Sequence, residues 1–403
     1  MNIEAAVNLD DLRLLAQRKL PRIAFDFIDG GVDDERGLAR NRAAFAGHQL
    51  VPRYLRDVSE RDQTTTMFGR KYASPFGISP TGLAGLWRPG ADRMQAEAAR
   101  DANVPFVLSS ASNDSLEEVA AVAPGHVWFQ MYCTRDAEIN DDLVRRATLA
   151  KVPALVVTVD VPVISNRERN RRNGFSQPFR MTPAVVLEAL GHPAWVLRYL
   201  RAGGVPMMRN WQPYARAGAT AIEVANMFAT LTPAPQVNWA TLRGIRAAWG
   251  GPLLLKGILH PDDALEAQRA GIDGLVVSNH GGRQLDAAPS PLEMLSSIRA
   301  AVGPEMTLIL ESGVRRGSDL VIARCLGADA CFFGRPVLYG VAAAGQAGAA
   351  RALDIVRQEI DMVLAQMGCR SFDELEAGHL ANRSSPPGAA RSAPYLCTSN
   401  RLE

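Results

Sequence analysis

Eight short apolar runs, separated by helical patterns, constrain this chain more than any other feature of its sequence. They are Pro75–Ser79, Pro105–Ser109, Val127–Tyr132, Ala154–Asp160, Leu253–Lys256, Gly274–Ser278, Thr307–Glu311 and Ala330–Phe333. Each is apolar throughout instead of alternating, and the set is rich in β-branched residues, the mark of parallel strands buried on both faces. Helical patterns lie between them at Arg93–Asp101, Ser115–Ala123, Ile139–Ala150, Pro261–Ala270, Pro291–Val302 and Gly317–Leu326, and residues 8–46 read as helical ahead of the first strand. Eight strands alternating with helices is the count of a (β/α)8 barrel; a doubly wound open sheet is the alternative. Polar groups close almost every run: Thr81, Ser110, Tyr132, Asp160, Lys256, His280, Glu311 and Arg335. In a barrel those ends converge on one mouth, where barrel enzymes carry their chemistry, whereas an open sheet would spread them along an edge. The expected fold is therefore α/β, a (β/α)8 TIM barrel over residues 1–383 with an N-terminal helical segment and a long insert after strand four, at about 175–238. The small, polar, proline-rich stretch 384–403 is expected to be disordered.

Composition narrows the function. The chain has 403 residues, a formal charge of +2 and 47% hydrophobic residues, enough for a large core and too evenly charged for general nucleic-acid binding. Five cysteines with no CxxC pair read as reduced thiols of a cytoplasmic protein, neither a disulfide framework nor a metal site. Residues 1–10 include Glu4 and Asp10 and no long apolar run, so no signal peptide is expected. No uninterrupted apolar stretch reaches about 18 residues, so no spanning helix is expected either.

Two stretches carry most of the chemistry. SNHGGRQLD, Ser278–Asp286, sets His280 and Arg283 around two glycines just after a strand. Glycine is costly to order and is used where a backbone turns sharply or approaches a neighbour closely. An imidazole held by a carboxylate can act as a base near neutral pH, and an arginine beside it can hold a substrate carboxylate. Asp160 and Lys256 end other strands at the same mouth; Asp160 also has a plainer reading as a helix cap. SGVRRG (Ser312–Gly317) and GRP (Gly334–Pro336) follow the seventh and eighth strands, where barrels commonly build a phosphate site from backbone N–H groups and a helix N-terminus. Arg315 and Arg335 would add charge-assisted bonds; the plainer reading is two surface loops with solvated arginines.

These motifs, with LLLKG, TVD and KLPRIAFDFIDGG (Lys19–Gly31), resemble the FMN-dependent α-hydroxy acid dehydrogenase and oxidase family over nearly the whole chain. The resemblance implies FMN as cofactor and oxidation of a 2-hydroxy acid to a 2-oxo acid. It implies that His280 is the active-site base and Asp160 the carboxylate that orients it. It makes Arg283 and Arg167 the holders of the substrate carboxylate, Tyr132 a neighbour of the substrate hydroxyl, and Lys256 the group that stabilises reduced flavin. Pro80, Thr81, Gly82, Ser109, Gln130, Thr158, Ser278 and Glu311 match flavin-contacting positions, and Gly313, Arg315, Gly334 and Arg335 match the phosphate cradle.

Two positions depart from the family pattern: Glu311 stands where Asp is usual, and Phe27 where a pocket tyrosine is usual. Losing that hydroxyl removes one bond to a charged carboxylate, a contribution of about 1.5–3 kcal/mol. A protein that binds FMN without catalysis is the alternative that Phe27 favours and the retained His280, Arg283, Asp160 and Lys256 oppose. Ala111 replaces the bulky tryptophan of short-chain glycolate oxidases and leaves space for a large substituent. Gly82 replaces an alanine frequent in oxidases and fits electron transfer to an acceptor other than oxygen.

The insert RMTPAVVLEALGHPAWVLRYLRAGGVP (Arg180–Pro206) is similar to the membrane-binding segment of the bacterial mandelate dehydrogenase branch. That branch implies (S)-mandelate as substrate, with L-lactate as the alternative, a quinone or other electron acceptor, a homotetramer, and a cytoplasmic protein peripheral on the inner membrane face. The insert's own pattern agrees. Val185, Val186, Leu187, Leu190, Trp195, Val196, Leu197, Tyr199 and Leu200 interleave with Arg198 and Arg201, and no acidic residue lies between Glu188 and Glu223. Such a helix lies in a bilayer interface instead of crossing it; the alternative is a lid or an oligomer contact. Its Trp195 and Tyr199 are expected to face the apolar surface, and the stretch from about Phe179 to Gln212 to be removable without dismantling the flavin site.

Overall fold

The computed structural model describes residues 2–175 and 183–381. A hairpin of β1 (Thr65–Met67) and β2 (Arg70–Tyr72) precedes the barrel strands β3 (Phe76–Ile78), β4 (Phe106–Ser109), β5 (Val127–Tyr132), β6 (Leu155–Thr158), β7 (Leu253–Ile258), β8 (Gly274–Val277), β9 (Thr307–Glu311) and β10 (Ala330–Phe333). β3–β10 form a closed barrel in sequence order, with parallel pairing throughout and β10 returning to β3. The barrel expectation is met, and all eight runs are strands within a few residues of the expected ends.

Closure follows from strand parity. Val107, Trp128, Val156, Leu254, Val276, Ile309 and Phe332 pack together inside the barrel, while Phe106, Leu108, Phe129, Leu155, Val157, Leu253, Leu255, Leu275 and Val277 join the core beneath the outer helices. A run apolar at every position is what a strand with two buried faces requires. The hairpin, whose strands are too short to read from pattern, delivers Met67 and Tyr72 to the interior cluster, at the end where the chain enters the strands. The helical segment 8–46 resolves into Leu9–Lys19, Arg22–Asp29 and Arg36–Ala46, broken at Pro21 and at Gly30–Gly31. The helices Arg335–Ala344 and Gln346–Met367, Ala- and Gly-rich, close the chain against the barrel.

The insert corrects one expectation. It contains helices Pro183–Leu190 and Pro193–Arg201, interrupted at Gly191–His192, and a later helix Ala221–Leu231. Leu187, Leu190, Leu197 and Leu200 are exposed, but Trp195 and Tyr199 are not on that face. Trp195 Nε1 donates to Leu86 O (3.1 Å) and Tyr199 Oη to Gly85 O (2.6 Å), so both aromatics dock on the barrel. Buried Tyr and Trp carry a polar atom that needs a partner, and the backbone supplies it here. Trp211, fully buried, donates to Ser110 O (2.7 Å), which ties this end of the insert to the loop after β4. No described helix is long and apolar enough to cross a membrane. The stretch expected to be disordered, 384–403, lies outside the described residues.

Tyr72 Oη accepts a hydrogen bond from Trp128 Nε1 (3.2 Å) inside the barrel. Tyr72→Phe should leave that buried indole N–H unpaired and lower unfolding stability by about 1–3 kcal/mol. Denaturant titration measures the loss. Flavin content should not change, because the pair lies at the end of the barrel opposite the strand termini that carry His280 and Lys256.

Candidate active site

The loop after β8 explains the paired glycines. His280, Gly281 and Gly282 all have positive φ (58°, 68° and 71°), a conformation costly for any residue but glycine. A Cβ on Gly282 would lie 2.6 Å from Leu38 N, and one on Gly281 would lie 2.7 Å from Arg335 Nη1. The turn therefore packs its backbone against helix Arg36–Ala46 and against the loop after β10, and it sends His280 and Arg283 into the same cavity.

His280 Nδ1 lies 2.9 Å from Asp160 Oδ1. Burial dominates the imidazole and pushes its pKa down to about 4; Asp160 opposes the shift and Lys256 adds to it. Burial alone would raise the Asp160 carboxyl, but His280 and Lys256 hold it below its ordinary value. At neutral pH the pair is thus a neutral ring donating from Nδ1 to a carboxylate, which leaves the Nε2 lone pair as acceptor. Gly257, with φ of 107°, makes room: a Cβ there would lie 2.5 Å from Asp160 Cγ. Ser278 Oγ accepts from both His280 N–H (3.0 Å) and Lys256 Nζ (3.1 Å), tying base and lysine to one hydroxyl.

Lys256 also pairs with Glu311 Oε1 at 3.1 Å. Burial would lower the ammonium, but Glu311 and Asp160 raise it, so the charge stays on lysine. The Glu311 carboxylate is thus committed through Oε1 to this ion pair.

Arginines supply the rest of the charge. Arg283 Nη1 donates to Phe27 O (2.8 Å) and Gly30 O (2.9 Å), and Arg335 donates to Ile28 O and Gly30 O (2.9 Å each). These carbonyls end helix Arg22–Asp29, where the last turn lacks donors and the dipole is negative. Burial depresses the pKa of Arg283, and the like charges of Arg167 and Arg335 depress it further; burial also lowers those of Arg167, Arg315 and Arg335. Excess buried positive charge of this kind suits anionic groups.

The cavity measures about 500 Å³. Of the residues singled out in the sequence, Phe27, Pro80, Thr81, Gly82, Ala111, Tyr132, Arg167, Lys256, His280, Arg283, Glu311, Gly313, Arg315, Gly334 and Arg335 line it. Asp160 and Ser278 stand behind His280, while Ser109, Gln130 and Thr158 sit at the ends of β4, β5 and β6 and are not among its lining residues. Sequence reasoning missed an aromatic wall. Phe27 packs between Phe175 (centroids 4.7 Å apart) and Trp87 (5.8 Å) beneath the Arg283 guanidinium (5.0 Å), and Phe228 meets Tyr132 at 6.2 Å. Phe228 lies on helix Ala221–Leu231, and a single ring in a helix that resembles any other gives no signal of its place in a cavity.

Several buried polar atoms at this mouth lack protein partners among the described residues: Ser79 Oγ, Thr81 Oγ1, Gln130 Nε2, Thr158 Oγ1 and Glu311 Oε2. Buried groups of this kind are normally bonded, so they mark where a polar ligand is accommodated. Residues 16–382 match the model of the FMN-dependent dehydrogenase family.

The chain belongs to that family.

It is an FMN-dependent 2-hydroxy acid dehydrogenase, and the orphaned donors and acceptors and the guanidinium cluster fit FMN. Among curated relatives, it is 38% identical over 387 residues to (S)-mandelate dehydrogenase of Pseudomonas putida, covering 96% of each chain. It is 39% identical over 373 residues to L-lactate dehydrogenase of Caulobacter vibrioides, covering 93% of this chain and 97% of that one. Among solved structures, that of a monotopic membrane protein, (S)-mandelate dehydrogenase, superposes with a TM-score of 0.90 at 39% identity, covering 94% of this chain and all of the other.

Gly282→Ala should strain the backbone at positive φ and press a methyl onto Leu38, at a cost of at least about 1–3 kcal/mol. The expected outcome is a lower melting temperature and reduced flavin absorbance per mole of purified protein. Normal values of both would show that the turn tolerates a side chain.

Proposed function

We propose that this dehydrogenase oxidises an (S)-2-hydroxy acid with a bulky apolar side chain, with (S)-mandelate going to benzoylformate, and passes the electrons to a quinone-type acceptor. The observation that carries the reading is the neutral His280–Asp160 pair in one cavity with Arg283, Arg167 and an aromatic wall. Arg283 and Arg167 would bind the substrate carboxylate, a task guanidinium geometry suits. Phe27, Trp87, Phe175 and Phe228 would receive the side chain, and Ala111 leaves room that a large residue would fill. His280 Nε2 would accept a proton that the substrate loses, from its α-carbon or from its hydroxyl, with Asp160 holding the ring in register. Tyr132, whose ring lies 6.5 Å from that of His280, would bond the substrate oxygen. FMN, when bound, supplies the electron acceptor. Gly313, Arg315, Gly334 and Arg335 would hold its phosphate. Pro80, Thr81, Gly82, Ser109, Gln130, Thr158, Ser278 and Glu311 would hold the remainder, with Lys256 placing positive charge beside it. Without a tyrosine hydroxyl at Phe27, the carboxylate would depend on the two arginines.

A peripheral membrane site for this chain is part of the same proposal. Val186, Leu187, Leu190, Leu197 and Leu200 are exposed on the insert helices, and Arg201 lies beside them. Aliphatic side chains next to arginine fit an anionic interface, and a relative of 39% identity is described as a monotopic membrane protein.

Anaerobic mixing tests the chemistry. (S)-mandelate should bleach the bound flavin faster than L-lactate, glycolate or a long-chain 2-hydroxy acid, and His280→Ala should slow bleaching about 10²–10⁴-fold with FMN retained. Because the base works when neutral and its folded pKa is near 4, kcat/KM should hold from pH 8 through 6.5 and fall only on further acidification. Fastest bleaching by lactate would give the lactate reading its place, and an undiminished His280→Ala rate would remove the base assignment.

Sedimentation tests the membrane. The protein should pellet with anionic vesicles at low salt and less so at high salt, since screening weakens the attraction. Leu187→Gln with Leu190→Gln should stay in the supernatant. A wild type that fails to pellet at low salt sinks this part of the proposal.

A further inference from the structure

One turn of chain joins the cavity wall to the insert helix Pro193–Arg201. Thr81, Gly82 and Leu83 line the cavity, and the backbone then closes the short turn Ala84–Leu86. The barrel locks this turn from one direction. Leu83 N–H donates to Ala111 O (2.8 Å), and Gly85 N–H donates to Asn113 Oδ1 (2.9 Å). A Cβ on Gly82 would lie 2.9 Å from Ala111 Cβ, so turn and loop are in contact and a shift in one displaces the other.

The insert locks it from another. Tyr199 Oη donates to Gly85 O (2.6 Å) and Trp195 Nε1 to Leu86 O (3.1 Å), on consecutive carbonyls. Tyr199 is 9% exposed, and the two rings pack with centroids 4.2 Å apart. The loop after β4 is held by the same insert: Asn113 Nδ2 donates to Pro206 O and Met207 O (3.3 Å each). A helix that only covered the barrel could do so through apolar contact. Two donors aimed at neighbouring carbonyls fix the height and tilt of the turn instead.

We infer that Trp195 and Tyr199 are positioning residues. By holding the Gly82–Leu86 turn they set the width of the pocket between Gly82, Ala111 and the aromatic wall, and with it the preference for a bulky side chain on the substrate. The preference for aryl over small substrates rests on the function proposed above; the control of the turn does not.

Tyr199→Phe keeps the ring and removes one hydroxyl. Phenylacetate, a non-reacting carboxylate, is the probe, its Kd read from the perturbed absorption of the bound flavin. That Kd, and KM for (S)-mandelate, should rise about two- to tenfold, the weight of one hydrogen bond. kcat with mandelate, and both constants with L-lactate, should stay within about twofold, the pattern of a lost binding contact. Trp195→Phe should act in the same direction. Ala194→Ser, at an exposed position of the same helix that makes neither contact, should leave all of these constants unchanged. An unchanged Kd in both aromatic variants, or equal losses for mandelate and lactate, overturns the inference. If Tyr199→Phe fails to fold, Trp195→Phe decides by the same criteria. A wild type indifferent between mandelate and lactate would sink the aryl reading, while the phenylacetate Kd would still report on the turn.

Discussion

Positive charge buried at the barrel mouth is the constraint on which the rest depends. Arg167, Arg283, Arg315, Arg335 and Lys256 face one cavity, with Glu311, the Asp160 behind His280 and, near Arg335, Asp29 and Glu35 as carboxylates. Two unit charges about 4 Å apart repel by roughly 4 kcal/mol at an effective dielectric near 20. A hydrogen bond to a charged group returns about 1.5–3 kcal/mol, so each arginine needs more than one acceptor. The carbonyls of Phe27, Ile28 and Gly30 supply them to Arg283 and Arg335, which requires the end of helix Arg22–Asp29 to stand over the mouth. The N-terminal helices are thus part of the site's electrostatics, and the remaining charge favours a cofactor phosphate and a substrate carboxylate.

The same field shapes the base. A histidine beside a carboxylate alone would be expected to titrate high. Here burial outweighs Asp160, and Lys256 adds to burial, so the ring stays neutral through the physiological range. Ser278 links this to the lysine, because one hydroxyl accepts from the His280 backbone and from Lys256. Moving either partner disturbs the other, and the positive-φ turn fixes the His280 side of that link, with strain only at His280 itself.

Much of this was legible in the sequence, for identifiable reasons. Strands buried on both faces leave continuous apolar runs, so all eight barrel strands could be read. Glycines required by close approach stand next to the groups they position, so His280, Arg283, Gly313 and Gly334 could be found from motif alone. What pattern could not carry was partnership across long separations. The Arg283 contacts to carbonyls more than 250 positions away involve no side chain on the accepting side. Glu311 could be seen as a departure, but its pairing with Lys256 depends on register and reach. The β1–β2 hairpin, with strands of three residues, lies below the length at which alternation can be recognised.

The insert shows the same limit in a sharper form. Trp195 and Tyr199 are one helical turn apart, as are Leu197 and Leu200, so two faces of helix Pro193–Arg201 both carry apolar character. Composition reads that as one membrane-seeking surface. Physically the faces differ, because an indole N–H and a phenol O–H each need an acceptor that a lipid interior lacks and a barrel loop provides. The aromatics therefore turn inward to Gly85 and Leu86, and the aliphatic residues, with nothing to satisfy, are left outside. A helix sorted this way has its proposed lipid face and the substrate wall on opposite sides of a single layer of side chains. The bonds from Trp195 to Leu86 O and from Tyr199 to Gly85 O are how that layer meets the turn beside Gly82 and Ala111.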